Sequence, residues 1–247
     1  LEKTKKKYKN ILRKINKTKN KAKLKGEDKR VYELVKKDFY KASRQIRAQL
    51  GQKDRFREGI ERSGLYMKEI KSIFKKFNLP DELSVLPHVE SSFQIGAYSS
   101  AGAAGIWQFP RGTGRLFMRV GYDVDERRDP IIATYGAAKL LKKNFESIGS
   151  WPLAVTAYNH GLQGMKRAKK RFGSDIIKVI AKYKSRTFGF ASRNFYAEFL
   201  AALHVVKNQD KYFSNLVIKK PIPRASFILP DYIHIQTAMN HCDMTRE

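Results

Sequence analysis

Residues 81–93 read DELSVLPHVESSF, and this stretch decides how the chain around it folds. Asp81 is a suitable first residue for a helix that carries Leu83, Leu86 and position 90 on one face. Position 90 is a glutamate, so a carboxylate occupies the face that the two leucines turn toward an interior. We expect desolvation to raise the pKa of Glu90 until it holds its proton near neutral pH, as a general acid must. A buried glutamate paired with an arginine is the structural alternative, and the pattern alone weighs the two equally.

Helical patterns continue on both sides of this stretch. Apolar residues at helical spacing between 31 and 77 predict two or three amphipathic helices. Asp129-Pro130 predicts a helix that runs to about Phe145, and further helices are predicted at 151–159 and 193–206. Beyond position 208 the prolines increase, and the β-forming runs 227–229 and 232–235 predict one hairpin or a pair of short strands. The predicted fold class is mainly α, with a short β-containing C-terminal tail.

The chain has 247 residues, of which 42% are hydrophobic, and this composition excludes a disordered tail or a disulfide-stapled miniprotein. Lys and Arg number 51 against 23 Asp and Glu, for a net charge of +28. This excess predicts a polyanionic partner, and nucleic acid, acidic lipid and acidic glycan all fit it. The first 25 residues hold 12 basic residues and one acid, Glu2. We interpret them as a solvated helix or flexible arm that serves as a basic linker or as an electrostatic anchor.

Several classes of site and location are excluded by pattern. No run reaches the roughly 18 to 20 apolar residues that a membrane span needs, and the N-terminus has no signal-peptide core. An exported protein would therefore carry its leader outside this numbering. The single Cys242 excludes an internal disulfide and a cysteine-based metal cluster. The histidines show no metal-ligand spacing, so we predict neither a metal nor a cofactor.

Two further segments suit a glycan cleft. Small residues fill most of positions 99–105 and allow a backbone to lie close to a ligand, and Trp107 offers a flat apolar face of the kind on which sugars pack. Tyr158 and Asn159 come at a predicted helix end, where they can face a cleft. Each feature alone has an ordinary structural explanation: a turn, a core tryptophan and a helix C-cap. Likewise, Asp129 is interpreted as a helix cap and 125–128 as an ion-pair cluster.

Taken in order, these motifs resemble the lytic transglycosylases of the goose-type lysozyme superfamily. The resemblance rests on LPHVESSF at 86–93, SSAGAAGIWQF at 99–109, DERRDP at 125–130 and AYNHG at 157–161. It covers about residues 52–205 and implies a lysozyme-like (SLT) catalytic domain. The organisation that we predict is a basic helical extension at 1–51, this domain at 52–207 and a Pro-rich appendage at 208–247.

The resemblance also implies roles for single residues. Glu90 matches the catalytic acid, and Ser99 matches a serine whose hydroxyl assists near the reacting sugar. Gln108 matches a glutamine that lines the cleft, while Tyr158 and Asn159 match residues that contact the substrate. The family cleaves the β-1,4 bond between N-acetylmuramic acid and N-acetylglucosamine in peptidoglycan, so peptidoglycan and the anionic cell-wall surface are the implied partners. We expect a monomer that acts in the periplasm or envelope, or after secretion, and that binds no nucleic acid.

The distribution of acids agrees with single-carboxylate chemistry. No Asp or Glu occurs between Ser91 and Tyr122, whereas ordinary glycosidases use two carboxylates. Glu90 alone would protonate the leaving oxygen and then deprotonate the muramyl 6-hydroxyl, which closes onto C1 as a 1,6-anhydro end. Two alternatives stay open: a hydrolysing muramidase on the same fold, and a basic protein that binds glycan or nucleic acid without catalysis.

One motif departs from the family. Where Glu-Thr-Arg-x-Tyr-Val is common, residues 191–196 read ASRNFY. Phe195 therefore lacks the hydroxyl of the matching tyrosine, although we still place it at the substrate. The missing hydroxyl predicts altered recognition of one sugar substituent, such as the acetamido group. A preference for deacetylated peptidoglycan is one form that this change can take. His160 also stands where a small residue is frequent, and the sequence leaves open whether it faces the cleft or solvent.

Overall fold

The computed structural model describes residues 2–46, 51–221 and 233–242. The chain divides into two compact units, Leu1–Asp54 and Arg55–Glu247. The three-part organisation predicted from the sequence stays a prediction. Among the described residues no helix combines the length and the apolar content that crossing a membrane requires.

The first unit is a small helical body with its own core. Its helices are α1 (Glu2–Lys17), α2 (Gly26–Val35) and α3 (Phe39–Gln45), with a 3-10 turn at Lys21–Lys23. The few apolar residues of this lysine-rich segment collect on one side: Leu12, Ile15, Leu24, Val31 and Phe39 are buried together. Residues 2–17 are therefore neither fully solvated nor a flexible arm, because one face of α1 is packed.

The regular secondary structure in the described part of the second unit is also helical. Its helices, in chain order, are α4 (Lys53–Ser63), α5 (Met67–Lys76), α6 (Leu86–Glu90), α7 (Arg111–Gly114), α8 (Pro130–Ile148), α9 (Trp151–His160), α10 (Leu162–Phe172), α11 (Ile176–Lys182), α12 (Phe190–Lys207), α13 (Gln209–Tyr212) and α14 (Ile235–Cys242). Short 3-10 helices lie at Asp81–Val85 and Glu126–Arg128. Extended pairing in the described residues is limited to isolated bridges such as Tyr98 with Ala104. The predicted mainly α class is confirmed.

Two apolar clusters hold this unit together. The larger joins α5, α6, α8 and α12 to the loop before α7, through residues that include Phe74, Leu86, Trp107, Leu141 and Phe199. The smaller joins α9, α10 and α11, through residues that include Leu153, Met165, Ala168, Val179 and Tyr183. The predicted start of α8 is confirmed, because Asp129 Oδ1 accepts hydrogen bonds from the backbone amides of Ile131 and Ile132 at 2.7 and 2.8 Å.

The C-terminal prediction is only partly open to comparison. The β-forming run 227–229 lies outside the described residues, as does Tyr232. Ile235, which we expected in a strand, instead begins α14, so the prediction is wrong at that position. Strand propensity is a weak guide here, because it reflects a fit to a half-buried sheet surface, and α14 has no buried residue.

Candidate active site

Glu90 is the last residue of a very short helix. A 3-10 helix covers Asp81–Val85 and passes directly into α6, with Pro87 in its first turn. The predicted single helix from Asp81 is thus divided in two, because Pro87 has no amide hydrogen with which to continue the α-helical bonding. Leu83 and Leu86 are buried as predicted, and Glu90 is partly buried.

The turn after Glu90 is fixed from two sides. Ser92 and Phe93 both have left-handed backbone conformations, with φ of 52° and 58°. Arg62 of α4 donates from Nε and Nη2 to the carbonyl oxygen of Ser92, at 3.1 and 2.9 Å. Ser91 Oγ donates to the carbonyl oxygen of Ile106 at 2.9 Å. The chain that leaves Glu90 is therefore tied both to α4 and to the loop before α7.

The electrostatic setting of Glu90 favours its neutral form. Burial raises its pKa to about 8, and the nearby carboxyl group of Glu198 adds to the rise. At pH 7 the side chain therefore holds a proton that it can donate. The direction of the shift is the predicted one, but no arginine of residues 2–46, 51–221 or 233–242 forms an ion pair with Glu90.

Glu198 is a carboxylate that the sequence reasoning missed. It lies on α12 and is exposed. Partial desolvation of its carboxyl group nevertheless raises its pKa. A signal was available, because Glu198 is the single acidic residue of α12 and follows Phe195 by three positions, so that the two neighbour each other on the helix surface.

Tyr158 of α9 lies beside Glu90. Its hydroxyl donates to the carbonyl oxygen of Trp107 at 2.8 Å. Burial, and then the negative charge of Glu90, raises the pKa of Tyr158 well above its usual value, so the phenol stays neutral. At the exposed end of the same helix, Asn159 Oδ1 accepts a hydrogen bond from Ser192 Oγ of α12 at 2.8 Å. This bond ties α9 to α12.

Ser99 and Gln108 shape the loop at 96–109. Ser99 Oγ accepts from the backbone amide of Ala103 at 3.0 Å, which leaves its own hydroxyl proton free to donate elsewhere. Gln108 has a left-handed backbone with φ of 48°. Its Nε2 donates to the carbonyl oxygens of Gly105 and Ala97, at 2.9 and 3.3 Å. Both side chains therefore support the loop at 96–109, which Ser91 joins to the turn after Glu90.

Arg127 holds the same loop from the inside. Its side chain is 1% exposed and pairs in bidentate fashion with Asp125, at 2.8 and 2.6 Å. Its Nη1 donates to the carbonyl oxygens of Gly102 and Phe109, at 2.8 and 2.9 Å. The predicted ion-pair cluster at 125–128 is thus present, but sequence reasoning did not find that it anchors the glycine-rich loop, since the bonds go to backbone atoms.

Two predicted substrate contacts need correction. Trp107 is fully buried at 0% exposure, and its Nε1 donates to Thr134 Oγ1 of α8 at 2.8 Å. Its ring stacks on Phe74 rather than offering a face to a sugar. Phe195 is 3% exposed and belongs to the same core cluster. Both rings support the site from behind, because apolar burial in the core outweighs any gain from a solvent-facing platform.

The two histidines near the site are packed among aromatic rings. His88 lies 5.1 Å from Phe56 and 4.6 Å from Phe93, measured between ring centroids, and burial lowers its pKa to about 3. His160 contacts Tyr183 and Phe188, so it faces neither open cleft nor open solvent. Within the described residues, no three side chains of His, Cys, Asp or Glu converge as a metal site would need.

Comparison with known proteins finds a matching family and several similar proteins. Residues 69–180 match the family described as the transglycosylase SLT domain. The chain is 34% identical over 153 residues to the membrane-bound lytic murein transglycosylase D of Escherichia coli K12, which covers 60% of this chain and 32% of that protein. The same protein of E. coli O6:H1 gives the same values. The chain therefore spans about a third of the length of these relatives.

Among solved structures, the chain is similar to the lytic transglycosylase Slt of Pseudomonas aeruginosa, an X-ray structure of an inactive mutant. The TM-score is 0.47 at 18% identity, over 62% of this chain and 25% of that one. The family match, by contrast, contains Glu90, the loop at 96–109 and all of α9. Over residues 69–180 this chain is therefore similar to the transglycosylase SLT domain family.

Proposed function

We propose that this protein is a lytic transglycosylase that cuts the β-1,4 bond between N-acetylmuramic acid and N-acetylglucosamine in peptidoglycan. The observation that carries the proposal is Glu90, a carboxyl group whose pKa of about 8 keeps it protonated at neutral pH. It lies inside the segment that matches the SLT family. The cell envelope, where this polymer lies, is then the place of action.

In the proposed reaction, Glu90 donates its proton to the glycosidic oxygen as the bond to C1 breaks. The resulting carboxylate next accepts the proton of the muramyl 6-hydroxyl, whose oxygen bonds to C1 and forms the 1,6-anhydro ring. No water is consumed, and Glu90 ends protonated as it began. The tethered hydroxyl replaces an external nucleophile at a high effective concentration. In this proposal Tyr158, which stays neutral beside Glu90, contacts the substrate.

The test is digestion of purified sacculi by the full chain, with mass spectrometry of the released muropeptides. We expect products one water lighter than the hydrolysis products. Glu90→Gln should reduce the rate roughly 10²- to 10⁴-fold, the usual contribution of a general acid, while circular dichroism stays unchanged. Undiminished cleavage by the folded Glu90→Gln variant would rule the proposal out.

A hydrolysing muramidase is the second candidate, and Glu198 is the observation that favours it. Glycosidases typically use two carboxyl groups whose surroundings give them different pKa values. One is the protonated acid, and the other is ionised and activates water. Glu198 is the more exposed of the two, so it is the one that ionises first. Reducing ends in the digest, in place of anhydro ends, would select this alternative.

A preference for deacetylated peptidoglycan is the finer proposal. It rests on Phe195, whose buried ring lies behind the site and carries no hydroxyl group, so that its effect on the substrate passes through the core residues around it. Parallel digestion of acetylated and deacetylated sacculi tests it, and equal rates would remove it. Phe195→Tyr serves as the matched variant and should shift the ratio of the two rates toward acetylated substrate.

A further inference from the structure

A strongly cationic surface lies on α10 and α11. Residues 162–186 contain nine Lys or Arg and one acid, Asp175. Asp175 is already engaged, because its Oδ1 accepts from the backbone amides of Ile177 and Lys178 and caps α11. We name the exposed cations of these two helices the cationic band; they are Lys166, Arg167, Lys170, Arg171, Lys178 and Lys182.

Packing of the two helices leaves this band outside. Met165 and Ala168 of α10 and Val179 of α11 are fully buried in the smaller core cluster. The remaining faces of both helices are then turned to solvent, and the basic residues occupy them. Within the described part of residues 55–242, no carboxylate lies within ion-pair distance of any member of the band. The positive charge is therefore available to an external anion.

The band begins beside the candidate active site. α10 starts one residue after Gly161, which ends α9, and the charge of Arg167 acts on His160, the last residue of α9. Tyr158 and Asn159 lie on that same last turn. A glycan strand bound at Glu90 that continues past the end of α9 would therefore bring its attached groups to the band.

We propose that the cationic band binds the carboxylates of murein, on its stem peptides and lactyl groups, and so holds the polymer next to the active site. The inference rests on the proposed function for its choice of partner. Exposed cations raise the local concentration of an anionic polymer and its encounter rate, and they do so most at low ionic strength. An uncharged glycan would gain nothing from the same surface.

The test compares binding of the full chain to insoluble sacculi and to chitin, an uncharged β-1,4 glycan, by co-sedimentation. All proteins carry Glu90→Gln, so that sacculi stay intact during the measurement. The band variant is Lys166→Gln, Lys170→Gln and Arg171→Gln. The matched control is Lys75→Gln, Lys76→Gln and Lys139→Gln, which removes the same charge from exposed positions of α5 and α8.

We expect the band variant to bind sacculi roughly three- to tenfold more weakly at about 50 mM salt, since each exposed ion pair contributes modestly. The difference should disappear at about 0.5 M salt, where exposed charges are screened. Chitin binding should be the same for all proteins, and the control should bind sacculi like the parent.

Three results would overturn the inference: an unchanged affinity of the band variant for sacculi, an equal loss on chitin, or an equal loss in the control. A band variant that loses affinity for duplex DNA but not for sacculi would show that the band serves phosphates instead. Because binding is measured without cleavage, failure of the proposed reaction in the sacculus digest leaves this result interpretable.

Discussion

Glu90 and Glu198 differ in exposure, and this difference assigns them different protonation states. Glu90 is partly enclosed at the end of α6, and its pKa is raised first by burial and then by Glu198. Glu198 stands on α12 with its side chain exposed. The more exposed carboxyl group ionises at lower pH, and its negative charge then holds the proton on the other.

The first prediction concerns this coupling. Glu198→Gln removes a negative charge near Glu90, so the pKa of Glu90 falls. Since the protonated form is the active acid, activity on sacculi should decline at lower pH than in the parent. The alkaline limb of the pH–rate profile measures this shift, and Glu146→Gln, an exposed acid of α8, is the control. An alkaline limb at the same pH in parent and Glu198→Gln would contradict the coupling.

Sequence periodicity was sufficient to find Glu90, because the spacing of Leu83, Leu86 and Glu90 indicates one buried side, although the structure divides this segment into a 3-10 helix and α6. It was insufficient for Trp107, since an aromatic residue in a glycine-rich loop has the same pattern whether its ring faces solvent or the core. It was also insufficient for Glu198 and Arg127. Their significance comes from partners that lie 108 and 25 positions away, at Glu90 and Gly102.

Among the elements, the loop at 96–109 depends on one close backbone approach. Gly105 has φ of 76°, and a Cβ added there would lie 1.8 Å from the carbonyl oxygen of Arg127. Only glycine fits such a position without displacing the backbone.

The long helices α8, α9 and α12 were predictable within a few residues from capping residues and apolar spacing. The conformation of the loop at 96–109 was not predictable from the sequence, because contacts with the segment 125–128 determine it.

The second prediction uses two glycines of the same region. Gly105→Ala should destabilise the protein by roughly 3 kcal/mol or more, because backbone atoms must move to admit the methyl group. Gly112→Ala is the matched control: its added Cβ meets nothing within 4 Å, and alanine favours the helix α7. Urea unfolding followed by circular dichroism compares the two. Equal stabilities would show that the loop yields without cost.

At the scale of the whole molecule, a buried base and a buried acid limit the free energy of unfolding at opposite ends of the pH range. The pKa of His88 is lowered from 6.5 to about 3, so its contribution to stability is complete above pH 6.5 and is lost as pH falls toward 3. The pKa of Glu90 is raised from 4.5 to about 8, so its contribution is complete below pH 4.5 and is lost as pH rises toward 8.

The third prediction follows from these signs. Stability of the parent should be greatest between about pH 4.5 and 6.5 and should decline on either side. Glu90→Gln should remove most of the alkaline decline, on the order of 2 kcal/mol, because a neutral amide has no proton to lose. The acid decline should persist in this variant. Melting temperatures of both proteins from pH 4 to 9 give the comparison, and parallel curves above pH 6.5 would contradict it.

The contacts of Arg127 allow the sequence of the loop at 96–109 to change. Its side chain interacts with the side chains of Asp125 and Tyr98, but it also donates to the carbonyl oxygens of Gly102 and Phe109, atoms that every amino acid supplies. Exposed positions such as Ser100 and Ala101 can therefore be exchanged while the curve of the main chain persists. For an engineer, those two positions are where substitutions should disturb the loop least.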